Sequence, residues 1–270
     1  MAHMPATGVS GVDLYVRDGD VWRWSATPFP SGRTNESVLV SGLDGRKRDW
    51  MLYMPLYNGI EEISIGTMPG STIGPLPRGS DAMAPIVFYG TSITHGACAS
   101  RPGMCHVAIL GRELDMEVVN LGFSGSGTMD PEMADLMGEL DASMYVVDCL
   151  PNLDGQAVSE RAVPFVRRLR SLRPDTPILL VEDRTYADSH VNGSRRRNNS
   201  GNRVALREAW DELKADKVEG IYYLEGDRLL CSDGDGTVDG SHPTDLGFRQ
   251  QADAFKEVII PVLMPDEKSP

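Results

Sequence analysis

The chain has 270 residues, 41% of them hydrophobic, and its formal net charge is −13 at pH 7. A chain of this length can bury one large core, with room for a small additional domain. Its acidity disfavours binding to nucleic-acid phosphates and to anionic membranes, and no apolar run reaches the roughly 18–20 residues of a transmembrane helix. We therefore expect no nucleic-acid partner and no membrane partner.

Short β-like runs make up the N-terminal region from residue 12 to about residue 65. These runs cover residues 12–16, 21–26, 36–42, 49–57 and 60–66. Glycine, aspartate, asparagine and proline separate them, which is typical of an antiparallel meander or sandwich. Proline and glycine then recur every few residues up to about residue 80, which indicates a linker or a loop packed across the next domain. We predict a small β-rich, sandwich-like domain with its linker over residues 1–80 and a second domain over 81–270.

From residue 85 onward, apolar strands alternate with amphipathic helices. Strands are predicted at 86–90, 116–122, 143–150, 177–183 and 220–226, and helices at 104–114, 131–140, 159–172, 202–215 and within 243–263. This alternation predicts an α/β domain in which a parallel sheet carries helices on both faces. The polar stretch 190–202, which includes Arg195, is predicted to be a solvated loop, with a lid over the site as the alternative.

Polar residues follow the strands where a parallel sheet usually carries its chemistry. Ser92, Gly125 and Asn152 each come after a predicted strand, and Asp239 and His242 precede the last helix. The spacing of the last two can fold the carboxylate onto Nδ1 of the imidazole, leaving Nε2 free to face a serine. A glycine N–H and an asparagine amide can stabilise an oxyanion. Each residue alone is typical of an ordinary turn, but their order together favours a catalytic site.

Four stretches carry a resemblance to a known family. They are YGTSITHG, NLGFSGSG, DCLPNLD and DGSHPTDLG, within about residues 85–263, and they resemble the conserved blocks of the SGNH hydrolases, the GDSL-like esterases and lipases. The resemblance implies a flavodoxin-like three-layer α/β/α fold. It implies Ser92 as nucleophile, His242 as base and Asp239 as the partner of His242. It also implies oxyanion donors from the Ser92 N–H, the Gly125 N–H and the Asn152 side chain.

The resemblance is not complete, and it leaves some positions open. The first block reads Gly-Thr-Ser-Ile where many relatives have Gly-Asp-Ser, so the carboxylate that precedes the serine in those relatives is replaced by a hydroxyl. Gly122 and Gly127 are alternatives to the glycine donor, and Thr91 and His95 are candidates for lining a pocket. The stretches GTSITHG and WMLYMPLYNGIEEISIG resemble a subgroup in which a small β-rich domain precedes the hydrolase.

The resemblance implies a serine esterase that hydrolyses short, acetyl-type esters. The expected partner is a small-molecule or carbohydrate ester, such as an acetylated glycoside. Two alternatives stay open: an acyltransferase with the same triad, and a carbohydrate-binding protein with a silent hydrolase fold. The stretch GFSGSG is not a G-x-S-x-G nucleophile elbow, because its fifth residue is Ser126.

The four cysteines are not spaced as metal ligands usually are. Cys98, Cys105, Cys149 and Cys231 are scattered and form no C-x-x-C pair, so we expect no metal and no cofactor. Whether Cys98 and Cys105 form a disulfide stays open, with buried free thiols expected more often. The first residues lack a signal-sequence pattern, so the compartment stays open between the cytoplasm and secretion after signal removal. A homo-oligomer also stays open.

Overall fold

The N-terminal region forms a small antiparallel sheet. In the computed structural model, which describes residues 2–79, 82–230 and 233–265, a short helix α1 precedes three strands in the order β2-β1-β3. These elements are α1 (Ala6–Val9), β1 (Asp13–Asp18), β2 (Val21–Ala26) and β3 (Trp50–Tyr53). Gly19, in the left-handed conformation with φ of +62°, lies in the tight turn between β1 and β2.

The prediction of strands was wrong for two stretches of the N-terminal region. Residues 36–42 and 60–66 have no strand structure, and within the described residues no strand pairs with them. Their apolar side chains are largely in solvent: Val38 is 85% exposed and Ile65 is 59% exposed. Alternating hydrophobicity favours a strand only where a neighbouring backbone and a core are available.

The second region contains the predicted parallel sheet. Its strands are β4 (Ile86–Gly90), β5 (Val118–Gly122), β6 (Met144–Asp148), β7 (Ile178–Val181) and β8 (Ile221–Leu224). They lie in the order β5-β4-β6-β7-β8, which is the flavodoxin-like order 2-1-3-4-5. The strand order reverses at β4, so the crevice beyond its carboxyl end is the usual place for a ligand site.

Helices cover both faces of this sheet, which confirms the three-layer α/β/α architecture. They are α2 (Ser92–His95), α3 (His106–Glu113), α4 (Pro131–Glu139), α5 (Gly155–Leu172), α6 (Gly193–Ala215) and α7 (Asp245–Leu263). Helices α3 and α7 pack on one face with Phe88, while α4, α5 and α6 pack on the other with Tyr89. Successive strand residues point to opposite faces, so both faces of the continuous apolar strands are buried.

The predicted loop at 190–202 was also wrong, because most of it belongs to α6. The Asn192 side chain accepts a hydrogen bond from Arg195 N at 3.2 Å and caps the helix. Asn199 donates from Nδ2 to Asp183 Oδ2 at 2.7 Å, and Asn202 donates to the carbonyl of Leu153 at 2.9 Å. These contacts to distant parts of the chain stabilise a polar helix whose own composition favours a loop.

The N-terminal sheet is bonded to the α/β region through a buried carboxylate. Asp13 on β1 accepts from Arg101 at 2.7 Å and from the N–H of Gly103 at 2.9 Å. Thr7 of α1 donates to the carbonyl of Ser100 at 2.5 Å. The segment that follows α2 is therefore held by the N-terminal sheet, while the domain boundary near residue 80 stays a prediction. Among the described residues, no helix combines the length and apolarity needed to cross a membrane.

Candidate active site

Ser92 lies at the carboxyl end of β4, as the first residue of the short helix α2. Thr91 caps this helix: its hydroxyl accepts from Ile93 N at 3.2 Å, and its side chain is fully buried. The Thr91 hydroxyl is therefore used inside the turn rather than toward solvent. Because Ser92 begins the helix, its N–H has no acceptor within the helix and is available to a ligand.

A chain of two hydrogen bonds joins Ser92 to Asp239. Ser92 Oγ lies 2.8 Å from His242 Nε2, and His242 Nδ1 lies 2.8 Å from Asp239 Oδ2. The other carboxylate oxygen, Oδ1, accepts from the backbone N–H of Ser241 at 2.9 Å and of His242 at 2.8 Å. The turn that carries these residues is closed by a bond from Val238 N to the carbonyl of His242 at 2.9 Å.

The Asp239 carboxylate is ionised at neutral pH. Partial burial acts to raise its pKa, but the hydrogen bonds from His242 and Ser241 outweigh burial and lower the pKa to about 2. An ionised carboxylate only accepts hydrogen bonds, so Nδ1 of His242 is the protonated ring nitrogen. Nε2 is then an acceptor and faces the Ser92 hydroxyl.

The three candidate glycines have different surroundings. A Cβ placed on Gly125 meets no atom within 4 Å, whereas one on Gly127 would lie 2.0 Å from the carbonyl oxygen of Gly90. One on Gly122 would lie 2.1 Å from the backbone nitrogen of His95. Gly122 and Gly127 thus allow close backbone packing around the Ser92 turn, and Gly125 borders open space.

Asn152 lies in the turn after β6 and contacts the glycine-containing loop. Its Nδ2 donates to the carbonyl of Ser124 at 2.6 Å and to that of Gly127 at 3.1 Å. The amide therefore holds the loop around Gly125 in place. Asn152 lies at the carboxyl end of the parallel strands, as Ser92 does.

His95 stacks on a residue of the N-terminal region. Its ring lies 3.9 Å from that of Tyr57 with an angle of 16° between the planes. Burial lowers the pKa of His95, so the ring is neutral at neutral pH. The N-terminal region thereby reaches the end of α2.

The cysteines of the described residues are free thiols. Cys98, Cys105 and Cys149 are buried and unpaired, and Cys231 lies outside the described residues. Burial, with a smaller contribution from the charge of Asp239, raises the pKa of Cys98 to about 11. This thiol is therefore protonated beside the site.

Arg184 and Asp148 support the site, and the sequence analysis missed both. The Arg184 side chain is 2% exposed, pairs with Asp183, and donates from Nε to the carbonyl of Ser241 at 3.2 Å. Asp148 accepts from the Thr94 hydroxyl at 3.1 Å, and burial raises its pKa to about 7. Asp148 opens the DCLPNLD stretch, but its partner Thr94 and the Arg184 partner Ser241 are distant in the sequence, so no local pattern shows these contacts.

Two family models match the chain. Residues 83–260 match the GDSL-like lipase/acylhydrolase family, and residues 1–73 match the N-terminus of SGNH-hydrolase-type esterases. The chain belongs to the GDSL-like lipase/acylhydrolase family. It is an SGNH-type ester hydrolase with the N-terminal region that accompanies such esterases. The name of the N-terminal model, GxDLY, corresponds to residues 11–15, and these include the buried Asp13.

Solved structures share the fold over nearly the whole chain. A Bacteroides ovatus protein described as a GDSL-like lipase is 34% identical, with a TM-score of 0.92 over 97% of this chain and 77% of that one. The salicylyl-acyltransferase SsfX3 of a tetracycline biosynthetic pathway is 19% identical, with a TM-score of 0.71 over 96% of this chain and 75% of that one. A family two carbohydrate esterase from Clostridium thermocellum, in complex with cellohexaose, is 16% identical. Its TM-score is 0.64 over 96% of this chain and 88% of that one. The last two share the fold. No curated protein sequence matches the chain.

Proposed function

We propose that this ester hydrolase is a serine esterase that removes short acyl groups, acetyl in particular, from a carbohydrate or glycoside. The observation that carries the proposal is the hydrogen-bond chain from Ser92 through His242 to Asp239, with both separations at 2.8 Å. A nucleophile, a base and an orienting acid in contact are the parts that hydroxyl activation requires. No metal and no cofactor enters the proposed reaction.

In the first step, His242 Nε2 takes the proton of Ser92 as Oγ attacks the ester carbonyl. The Asp239 carboxylate stabilises the imidazolium that forms and keeps the ring in its orientation. The protonated His242 then gives the proton to the leaving alcohol, and an acyl-Ser92 enzyme remains. Water, deprotonated by the same Nε2, attacks the acyl group and releases the carboxylic acid.

The negative oxygen of the tetrahedral intermediate needs hydrogen-bond donors beside Ser92. We assign this role to the N–H of Ser92, the N–H of Gly125 and the side-chain amide of Asn152. Open space beside Gly125 and the position of Ser92 at a helix start support the first two assignments. Asn152 Nδ2 now donates to two backbone carbonyls, and we expect it to turn toward the oxyanion during the reaction.

A polar cleft next to the proposed triad supports an ester substrate whose alcohol part carries many hydroxyl groups. Asp188, Asp233 and Asp235 line a cleft of about 320 Å³ that also borders Asp239. Carboxylates accept hydrogen bonds from sugar hydroxyls, and they are unfavourable surroundings for a long acyl chain. Carbohydrate esterases of the same fold add support, including one solved with a bound oligosaccharide.

The proposal is tested by hydrolysis of p-nitrophenyl acetate, butyrate and octanoate, with acetylated xylan and acetylated methyl glycosides as natural-type substrates. Ser92→Ala should lower kcat/KM by at least about a thousandfold. Ser171→Ala, which alters an exposed serine on α5 far from the triad, is the matched control and should keep wild-type activity. Acetate should be the fastest chromogenic ester. Equal rates for wild type and Ser92→Ala would refute the proposed nucleophile.

Acyl transfer is the second candidate, because SsfX3, an acyltransferase, shares the fold. The same acyl-enzyme would then pass its acyl group to an alcohol in place of water. Adding methanol, glycerol or a methyl glycoside to the p-nitrophenyl acetate reaction separates the two functions. An esterase gives mainly acetate, and an acyltransferase gives mainly the new ester at low acceptor concentration.

A further inference from the structure

We propose that His3, Asp239 and His242 form a binding site for a divalent transition metal such as Zn²⁺, and that binding there switches off the triad. One ligand atom from each of the three residues lies within 4.8 Å of the other two. His3 comes from the N-terminal region, whereas the other two belong to the loop before α7. The loss of activity rests on the proposed function, but binding of the metal does not.

The histidine from the N-terminal region is aimed at the triad acid. His3 Nε2 lies 3.7 Å from Asp239 Oδ2, and the His3 and His242 rings are 5.7 Å apart between centroids. His3 Nε2 is buried and has no hydrogen-bond partner among the described residues. A buried ring nitrogen without a partner loses its hydration, and a ligand that it can coordinate would offset that loss.

The donor set suits zinc. Two imidazoles and one carboxylate are common zinc ligands, and a tetrahedral site with bonds of about 2.0–2.1 Å places its donor atoms roughly 3.3 Å apart. The 3.7 Å between His3 Nε2 and Asp239 Oδ2 is close to this spacing. The side chains of His3 and Asp239 are 32% and 36% exposed, so water can supply the fourth ligand.

Metal binding and catalysis exclude each other at His242 Nδ1. This nitrogen is 2.8 Å from Asp239 Oδ2, so the metal must open that contact and take the place of the Nδ1 proton. The neutral imidazole keeps one proton, which then resides on Nε2. An Nε2–H donates to Ser92 Oγ and cannot accept the hydroxyl proton, so the serine is not activated.

The test measures zinc inhibition and zinc binding separately. All proteins carry Cys231→Ser, so that this thiol adds no ligand. Activity on p-nitrophenyl acetate is titrated with ZnCl₂ in metal-free buffer and then restored with EDTA. His3→Ala removes one proposed ligand outside the triad. His190→Ala is the matched control, because it removes an exposed histidine of a neighbouring loop that is not one of the three ligands.

We expect zinc to inhibit the wild-type background reversibly, and His3→Ala to raise the inhibition midpoint at least tenfold while His190→Ala leaves it unchanged. Calorimetry with ZnCl₂ should show one site that His3→Ala abolishes, and this readout works even if the protein has no esterase activity. Equal zinc affinity with and without His3, or a loss of binding on His190→Ala instead, would overturn the proposal.

Discussion

The guanidinium of Arg184 holds Ser241, the residue directly before His242. Its Nε donates to the Ser241 carbonyl at 3.2 Å, and its terminal nitrogens bond to the Ser241 hydroxyl and to Asp183. The loop that carries His242 is thus fixed to a fully buried charge at the end of β7. The position of Nε2 relative to Ser92 depends on this contact.

Arg184→Lys should therefore impair turnover more than substrate binding. Lysine keeps a positive charge beside Asp183 but loses the planar fork that reaches both Ser241 atoms. Since small displacements of a catalytic base are costly, we expect kcat to fall about tenfold or more with KM nearly unchanged. Arg203→Lys is the control, because Arg203 bonds the Asp183 carbonyl and has no contact with Ser241. An equal fall in kcat for both variants would contradict a specific role for Arg184.

The two glycines of the loop after β5 should respond differently to alanine. Gly127→Ala places a methyl group 2.0 Å from the Gly90 carbonyl oxygen, so the backbone just before Ser92 must shift. We expect it to cost about 1–3 kcal/mol of stability and most of the activity. The methyl group added by Gly125→Ala has no atom within 4 Å, so this variant should keep the wild-type Tm. Thermal unfolding and acetate hydrolysis measure both effects, and equal destabilisation would refute the described loop.

Asp13 should be important for stability although it lies far from the triad. Its carboxylate is fully buried and accepts from Arg101, the Gly103 N–H, Thr27 and Trp24. Asp13→Ala removes the acceptor of the Gly103 N–H and of the Thr27 hydroxyl and takes one partner each from Arg101 and Trp24. We expect the free energy of unfolding to fall by about 2–5 kcal/mol. Asp18→Ala, at the exposed end of the same strand, removes only a surface pair with Arg23 and should cost less than about 1 kcal/mol. Urea unfolding compares the two variants, and similar losses would contradict the buried network.

Much of the fold and of the candidate site could be predicted from the sequence, because both depend on local patterns. The five parallel strands are continuous apolar runs, Ser92 stands in a recognisable block at the end of one strand, and His242 stands in another just before the last helix. The errors arose where distant residues decide the structure. Residues 36–42 alternate like a strand but find no partner, and α6 begins in a glycine- and asparagine-rich stretch that tertiary hydrogen bonds hold in a helix. The contacts of Arg184 have no local signature.

His106 should make stability depend on pH. Its ring stacks on Phe248 and Phe255 at 5.8 and 5.3 Å, neither ring nitrogen has a partner among the described residues, and burial lowers its pKa to about 3. In the unfolded chain a histidine titrates near 6.5. Below that pH the unfolded chain binds a proton that the folded chain does not, so stability falls as the pH drops from 6.5 toward 3.

The variant His106→Phe isolates this contribution. Between pH 7 and pH 5, wild type should lose about 2 kcal/mol more of its free energy of unfolding than His106→Phe does. Urea unfolding at the two pH values measures the difference. His190→Phe, which changes an exposed histidine, should behave like wild type. An unchanged pH dependence in His106→Phe would mean that His106 is charged or solvated in the folded protein.

Covalent labelling of the proposed nucleophile tests the proposed triad most directly. An alkyl fluorophosphonate reacts with a serine that a neighbouring base activates, and peptide mass spectrometry then identifies the modified residue. We predict a single adduct on Ser92 in the wild-type protein and at least about a hundredfold slower labelling in His242→Ala. An adduct on another residue, or equally fast labelling of Ser92 without His242, would contradict the proposed Ser92–His242–Asp239 site.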